Sequence, residues 1–167
     1  MKIAKYFALA KITIIEKYSY FWERFLSGIF VAIILFVFMH IWGVIYSGKN
    51  LIEGFTFTQV LWYLAFAEAL NTAMPTNRIE SLGQEIRSGS LSNTLLKPWS
   101  FAGREFSLYS ANFVYNLIST SIIAFAFAFI FIGPLNVSLI GLIFLPLAII
   151  LAAILNFLII TSFGFLA

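Results

Sequence analysis

The side chains of this sequence that could do chemistry are few, and they fall in two places. Glu68 and Asn71 stand three residues apart in an otherwise apolar run. Seven charged residues, Arg78, Glu80, Glu85, Arg87, Lys97, Arg104 and Glu105, lie between Pro75 and Glu105. Acid–base work needs a titratable group poised near neutral pH, and nucleophilic work needs an activated hydroxyl, thiol or amine. The chain has one histidine, no cysteine and no aspartate, and its Ser, Tyr and Lys residues form no activating pattern. His40 lacks nearby partners for a metal, so packing with one hydrogen bond accounts for it. Without Cys there are no disulfides and no Cys-ligated metals. No Gly-rich loop ends in Lys-Ser/Thr to hold phosphate. These residues describe a non-enzyme with no cofactor, and any ATP that drives it binds another polypeptide.

The elements that carry those residues are built for lipid. Hydrophobic residues make up 62% of the chain and charged residues 10%, against roughly 45–50% and 25% in soluble domains. From Phe106 to Ala167 there is no Asp, Glu, Lys, Arg or His. About 20 apolar residues cross a bilayer, so this tract holds more than one span. The fold class expected is all-α: a polytopic helical membrane protein with four transmembrane helices. The spans are predicted at about Phe25–Tyr46, Phe57–Met74, Phe106–Ile132 and Leu139–Ile160. The second ends at Pro75, which cannot donate an amide hydrogen bond. Gly133 and Pro134 make a tight turn, with Asn136 and Ser138 after it, and Pro146 kinks the fourth helix rather than ending it.

Basic residues set the orientation. Lys2, Lys5, Lys11, Lys17 and Arg24 precede the first span, and Arg78, Arg87, Lys97 and Arg104 lie between spans two and three. Lys49 alone falls in the first loop. Positive-inside bias places the N-terminus and residues 75–105 in the cytoplasm. Trp22 and Trp99 flank cytoplasmic ends, and Trp42 and Trp62 sit near the opposite interface, as an aromatic belt predicts. The formal charge of +3 is explained by that distribution and calls for no nucleic acid.

Residues 2–21 are weakly amphipathic, with Ile3, Phe7, Ala10, Ile14 and Phe21 on one side. They form either a helix lying on the cytoplasmic leaflet or an extension of the first span with snorkelling lysines. Within residues 75–105, Ile79, Leu82 and Ile86 recur at helical spacing, and Gly89 suits the left-handed position after a helix. Ser90 or Ser92 then caps a second short helix with Leu91, Leu95 and Leu96, stopped by Pro98. Such a segment is a docking surface or an ordinary interfacial connector. Glu68 is costly at mid-membrane, about 2.5–3.5 kcal/mol on insertion scales. With Asn71 it marks a substrate path or gate, or else a carboxylate paired structurally. Ala65, Ala69 and Ala73 give a small-residue face, and Asn112 and Asn116 can bond across an interface.

At LGQEIRSGSLSNTLLKPWS, residues 82–100, the chain resembles permease subunits of the ABC-2 type, particularly a bacterial exporter group. That group has a Glu-x-x-x-Gly core, matched by Glu85 and Gly89, and a Leu-Leu-x-Pro element, matched by Leu95, Leu96 and Pro98. The aromatic-basic segment ending YFWERF before the first span resembles the family too. The resemblance implies a multi-pass permease of the bacterial cytoplasmic membrane, partnered by a cytoplasmic ABC ATPase subunit and a second permease subunit. It implies that Ile79, Leu82, Glu85, Ile86 and Gly89 form the coupling element. Leu95, Leu96 and Pro98 would complete the return to the membrane. Glu85 would pair with a basic residue of the ATPase, while Leu82 and Ile86 fill an apolar groove. The N-terminal segment would be the family's interfacial helix, making residues 1–167 a single permease domain. The family usually has six spans, so four imply a fragment, a split subunit or an early stop. The rivals are a membrane scaffold whose polar segment binds lipid or another protein, and, more weakly, a secondary transporter.

Overall fold

In the computed structural model, residues 4–76, 78–97, 99–135 and 138–166 are described, the Leu166 side chain excepted. The expectations at Lys2, Ile3, Pro98 and Asn136 lie outside the described residues. Among the described residues seven helices follow one another: α1 Ala4–Tyr18, α2 Phe21–Ile45, α3 Phe57–Ala73, α4 Arg78–Arg87, α5 Leu91–Leu95, α6 Phe101–Phe131 and α7 Leu139–Leu166. The all-α class holds, but four spans become three. Among the described residues only Phe21–Ile45, Phe101–Phe131 and Leu139–Phe165 are long and apolar enough to cross a membrane.

The helix that falls short is α3. Its 17 residues rise about 25 Å at 1.5 Å each, less than the roughly 30 Å hydrocarbon layer. It also carries Glu68 and Asn71, and Pro75 forbids its extension. Hydropathy alone made it look like a span because its alanines are apolar; length is what excludes it. Two other boundaries also move. Helix α6 starts at Phe101, so Arg104 and Glu105 belong to its first turns rather than to a loop. Helix α7 continues through Pro146 for 28 residues.

The chain divides into two compact units. The first comprises Met1–Ser19, Met74–Tyr115 and Ile143–Ala167, which brings together α1, α4, α5, the start of α6 and most of α7. The second comprises Tyr20–Ala73 and Asn116–Leu142.

The second unit is built on small residues. Ala65 and Ala69 of α3 and Ala124 and Ala128 of α6 are buried in one cluster with Val31 and Leu35 of α2 and with Trp62. A four-residue alanine repeat lets helix backbones approach closely, which is how membrane helices gain packing energy without a hydrophobic drive. Gly28 serves the same end, since a Cβ there would overlap the Ile123 side chain. Close approach also lets side chains reach backbone: Thr120 Oγ1 donates to the Ala69 carbonyl at 3.3 Å, and Asn116 Nδ2 to the Ala73 carbonyl at 3.3 Å. The last carbonyls of a helix have no partner within it, so Asn116 caps the end of α3. Trp62 is buried and donates from Nε1 to the Gly133 carbonyl at 3.0 Å. That bond satisfies its indole N–H while the ring packs into the cluster. His40 Nδ1 bonds the Phe36 carbonyl one turn back at 2.9 Å.

Candidate functional site

The site lies wholly in the first unit and is built around α4. Glu80 in its first turn and Arg87 in its last match the helix dipole. Its apolar stripe turns inward at Leu82, which is 1% exposed. Gly164 of α7 makes room for it: a Cβ at Gly164 would stand 2.8 Å from Leu82 Cδ2. Ile79 is half-buried, whereas Ile86 at the other end of the stripe is 37% exposed.

The base of α4 is fixed by charge. Arg78 grips Glu105 of α6 with two prongs, Nε to Oε2 at 2.7 Å and Nη2 to Oε1 at 2.8 Å. Its Nη1 lies 3.2 Å from Glu85 Oε1 and 3.1 Å from Ser81 Oγ. Arg104 Nη1 reaches Glu105 Oε1 at 2.6 Å and, more loosely, Glu85 Oε2 at 3.7 Å. Two guanidinium groups thus face two carboxylates, and Glu105 is only 3% exposed. A buried carboxylate is stable only when paired and hydrogen-bonded, and the two-pronged arginine supplies both. Burial pushes the Arg78 guanidinium toward losing its proton. The hydrogen bonds and charge of Glu105, then those of Glu85, outweigh this and hold it above the ordinary arginine range.

Beyond α4 the chain turns on Gly89, whose φ of 71° lies in the left-handed region that glycine enters without steric cost. Its amide donates to the Ile86 carbonyl at 3.1 Å and the Ser88 amide to the Gln84 carbonyl at 3.0 Å. Ser90 precedes α5 without capping it; its hydroxyl bonds the Glu85 carbonyl at 3.3 Å instead. Helix α5 then presents Leu95, 60% exposed, followed by Leu96, 84% exposed. Lys97 sets its ammonium 5.5 Å from the Trp99 ring centre.

Helix α1 completes the unit. The Tyr6 hydroxyl lies 3.1 Å from Ser100 Oγ and accepts the Ser100 amide at 3.2 Å. These two hydrogen bonds lower the Tyr6 pKa. Ser107 Oγ donates to the Tyr6 carbonyl at 2.7 Å, and Tyr115 donates to the Lys17 carbonyl at 3.2 Å. These bonds tie the N-terminal helix to residues 100–115 directly. The face of α1 turned inward includes Tyr6, Ala10 and Thr13, while Phe7, Ile12 and Ile15 are exposed. Polar and backbone groups, rather than the apolar stripe, make the contact of α1 with the rest of the unit.

The expected residues therefore divide. Glu85 meets Arg78 and Arg104 within the chain, Leu82 is turned inward, and Gly89 makes the turn. Ile86, Leu95 and Leu96 are open. Pro98 is outside the described residues. Glu68 is half-buried and Asn71 exposed; both belong to the second unit and join no part of this cluster. Among the described residues Glu68 forms no ion pair or hydrogen bond, and no group of acidic and histidine side chains could hold a metal ion. The Arg78–Glu105 pair was missed from sequence because its partners stand at opposite ends of the polar segment. Only the adjacent charges Arg104 and Glu105, next to an apolar run, hinted at it.

A family model described as "ABC-2 family transporter protein" matches residues 29–167. The chain belongs to that family of ABC-2 type membrane permeases, which are non-catalytic membrane proteins. No curated protein and no solved structure matches it.

Proposed function

We propose that this ABC-2 family chain is the permease subunit of an ATP-driven exporter, with α4 and α5 as the coupling element that a separate cytoplasmic ATPase subunit grips. The observation that carries this reading is a division of labour along one short segment. Its inner side is anchored by a partly buried ion-pair network and by Leu82, while Ile86, Leu95 and Leu96 stand open among polar residues. Anchored apolar side chains on a polar segment suit docking, since each leucine or isoleucine fully buried gains about 1.5–3 kcal/mol. Ile79, Leu82, Glu85 and Gly89 hold that surface in place. The membrane is the bacterial cytoplasmic membrane, with α1 on its cytoplasmic leaflet, and a second permease subunit completes the path.

In this mechanism the chain supplies no chemistry. ATP binding closes the ATPase pair, the docked segments move, and two permease subunits shift between inward-open and outward-open packings. A ligand or partner can drive such a change only by binding one packing better than the other. Glu68 of α3, half-buried and without a partner among the described residues, is the residue assigned to the path.

The test is association. Ile86→Asp and Leu96→Asp place charge on the open surface without touching the anchored side. The tagged chain, extracted from native membranes, should bring down an ATPase subunit, and each variant should lose most of it. Undiminished recovery with both variants would overturn the reading, and recovery of lipid or a non-ATPase partner instead would favour a scaffold.

A further inference from the structure

Among the described residues, the links that join α4 to α6 and α7 are not mechanically equal. Leu82 rests against Gly164 of α7, a contact without a side chain on one face. Arg104 reaches Glu85 at 3.7 Å, a distance that allows slack. Arg78 and Glu105 share two short parallel hydrogen bonds, which fix direction as well as distance. Within that pair Glu105 is 3% exposed and Arg78 25%, and partly buried pairs are screened less by salt than exposed ones. On the α4 side, Arg78 also contacts Glu85, two turns along the same helix, so a push on the far end of α4 reaches Arg78 through its own helix. On the α6 side, Glu105 stands near the start of a helix of 31 residues without interior proline. Val114 lies nine residues on in the same helix and the same unit, so a displacement of the first turns reaches it without a break.

We propose that Arg78 and Glu105 are the positioning pair through which movement of α4 is passed to α6. The inference rests on the reading of α4–α5 as the ATPase-docking element, and its test separates the two. The chain has no cysteine, so Leu96→Cys and Val114→Cys each create one labelling site, on the docking surface and on α6. Val114 is 45% exposed and accessible to a spin label. The probe is a non-hydrolysable ATP analogue with magnesium, added to the complex purified through a tag on this chain.

With the parent pair, nucleotide should change label mobility at both sites. Glu105→Gln keeps the side-chain shape, removes the buried carboxylate charge and leaves Arg78 and Arg104 their contacts to Glu85. It should therefore preserve ATPase association and the response at Leu96→Cys. The response at Val114→Cys should fall roughly fivefold, the scale of replacing charge-assisted hydrogen bonds by neutral ones. Arg78→Gln should give the same pattern from the other partner. If Leu96→Cys does not respond in the parent complex, the docking reading fails and takes the inference with it. If Leu96→Cys responds and Val114→Cys responds undiminished in Glu105→Gln, the docking reading stands and the inference is overturned. Loss of both responses in Glu105→Gln would also overturn it, since the pair would then support docking itself.

Discussion

Adding one methyl group at Gly164 probes the seat of α4 against α7. An ideal Cβ there lies 2.8 Å from Leu82 Cδ2, 3.3 Å from its Cβ and 3.4 Å from its Cγ. Carbon atoms prefer separations of about 3.5–4.0 Å, so three atoms of one side chain are crowded together. Leu82 is 1% exposed, so it is enclosed on the other sides as well. Overpacking of this kind costs about 1–3 kcal/mol. Alanine returns up to roughly 0.5–1 kcal/mol of helix preference over glycine, and less in the last turn of α7. The net loss for Gly164→Ala is then about 1–2 kcal/mol, or roughly 2–8 °C in melting temperature for a chain of this size. Gly43 of α2 has nothing within 4 Å, so Gly43→Ala should cause no loss. Leu82→Ala alone should cost about 2–4 kcal/mol. Combined with Gly164→Ala it should cost about 1 kcal/mol less than the sum, because the clash has gone. Intrinsic tryptophan fluorescence of the detergent-solubilised protein, followed on heating, reads all four species. A Gly164→Ala protein as stable as the parent, or strict additivity, would refute the packing described for α4.

Other substitutions probe the remaining supports. Asn116→Ala removes the bond to the Ala73 carbonyl and should destabilise by about 0.6–1.7 kcal/mol, measured by the same fluorescence melt. Arg78→Ala leaves Glu105 buried with Arg104 alone; breaking a buried pair costs about 3–5 kcal/mol, and the surviving Arg104 contact places this one at the low end. Arg78→Lys, which keeps the charge but loses the second prong, should lie between the parent and Arg78→Ala. Gly89→Ala forces a side chain into left-handed geometry at about 1–2 kcal/mol and should reduce ATPase co-purification by redirecting α5, with Gly89→Asn milder on both counts.

The parts of the fold legible in the sequence were those set by local chemistry. Continuous apolar runs mark α2, α6 and α7, Pro75 ends α3, and Gly89 turns the chain after α4. The alanine repeat of α3 did mark a close helix contact, with Ala65, Ala69 and Ala73 all buried. The same repeat hid the span count, because alanine and leucine look alike to a hydropathy window while only length separates a crossing helix from a shorter one. At the candidate site the pattern showed which residues share a face of α4 but not which end of that face is covered. Leu82 and Ile86 are one turn apart, and only Gly164, some eighty positions on, decides that the first is buried. Arg78, Arg104 and Glu105 turned out to be the anchor, which spacing alone does not show, since pairing across the segment depends on how α4 folds back onto α6.

The central claim is that Leu96 faces an ATPase subunit, and photocrosslinking tests it most directly. A benzophenone amino acid at Leu96, irradiated in native membranes, should yield an adduct with a cytoplasmic nucleotide-binding protein. The same probe at Leu139, equally exposed on α7, should not. Adducts from Leu96 with lipid alone, or none that differ from those at Leu139, would contradict the account.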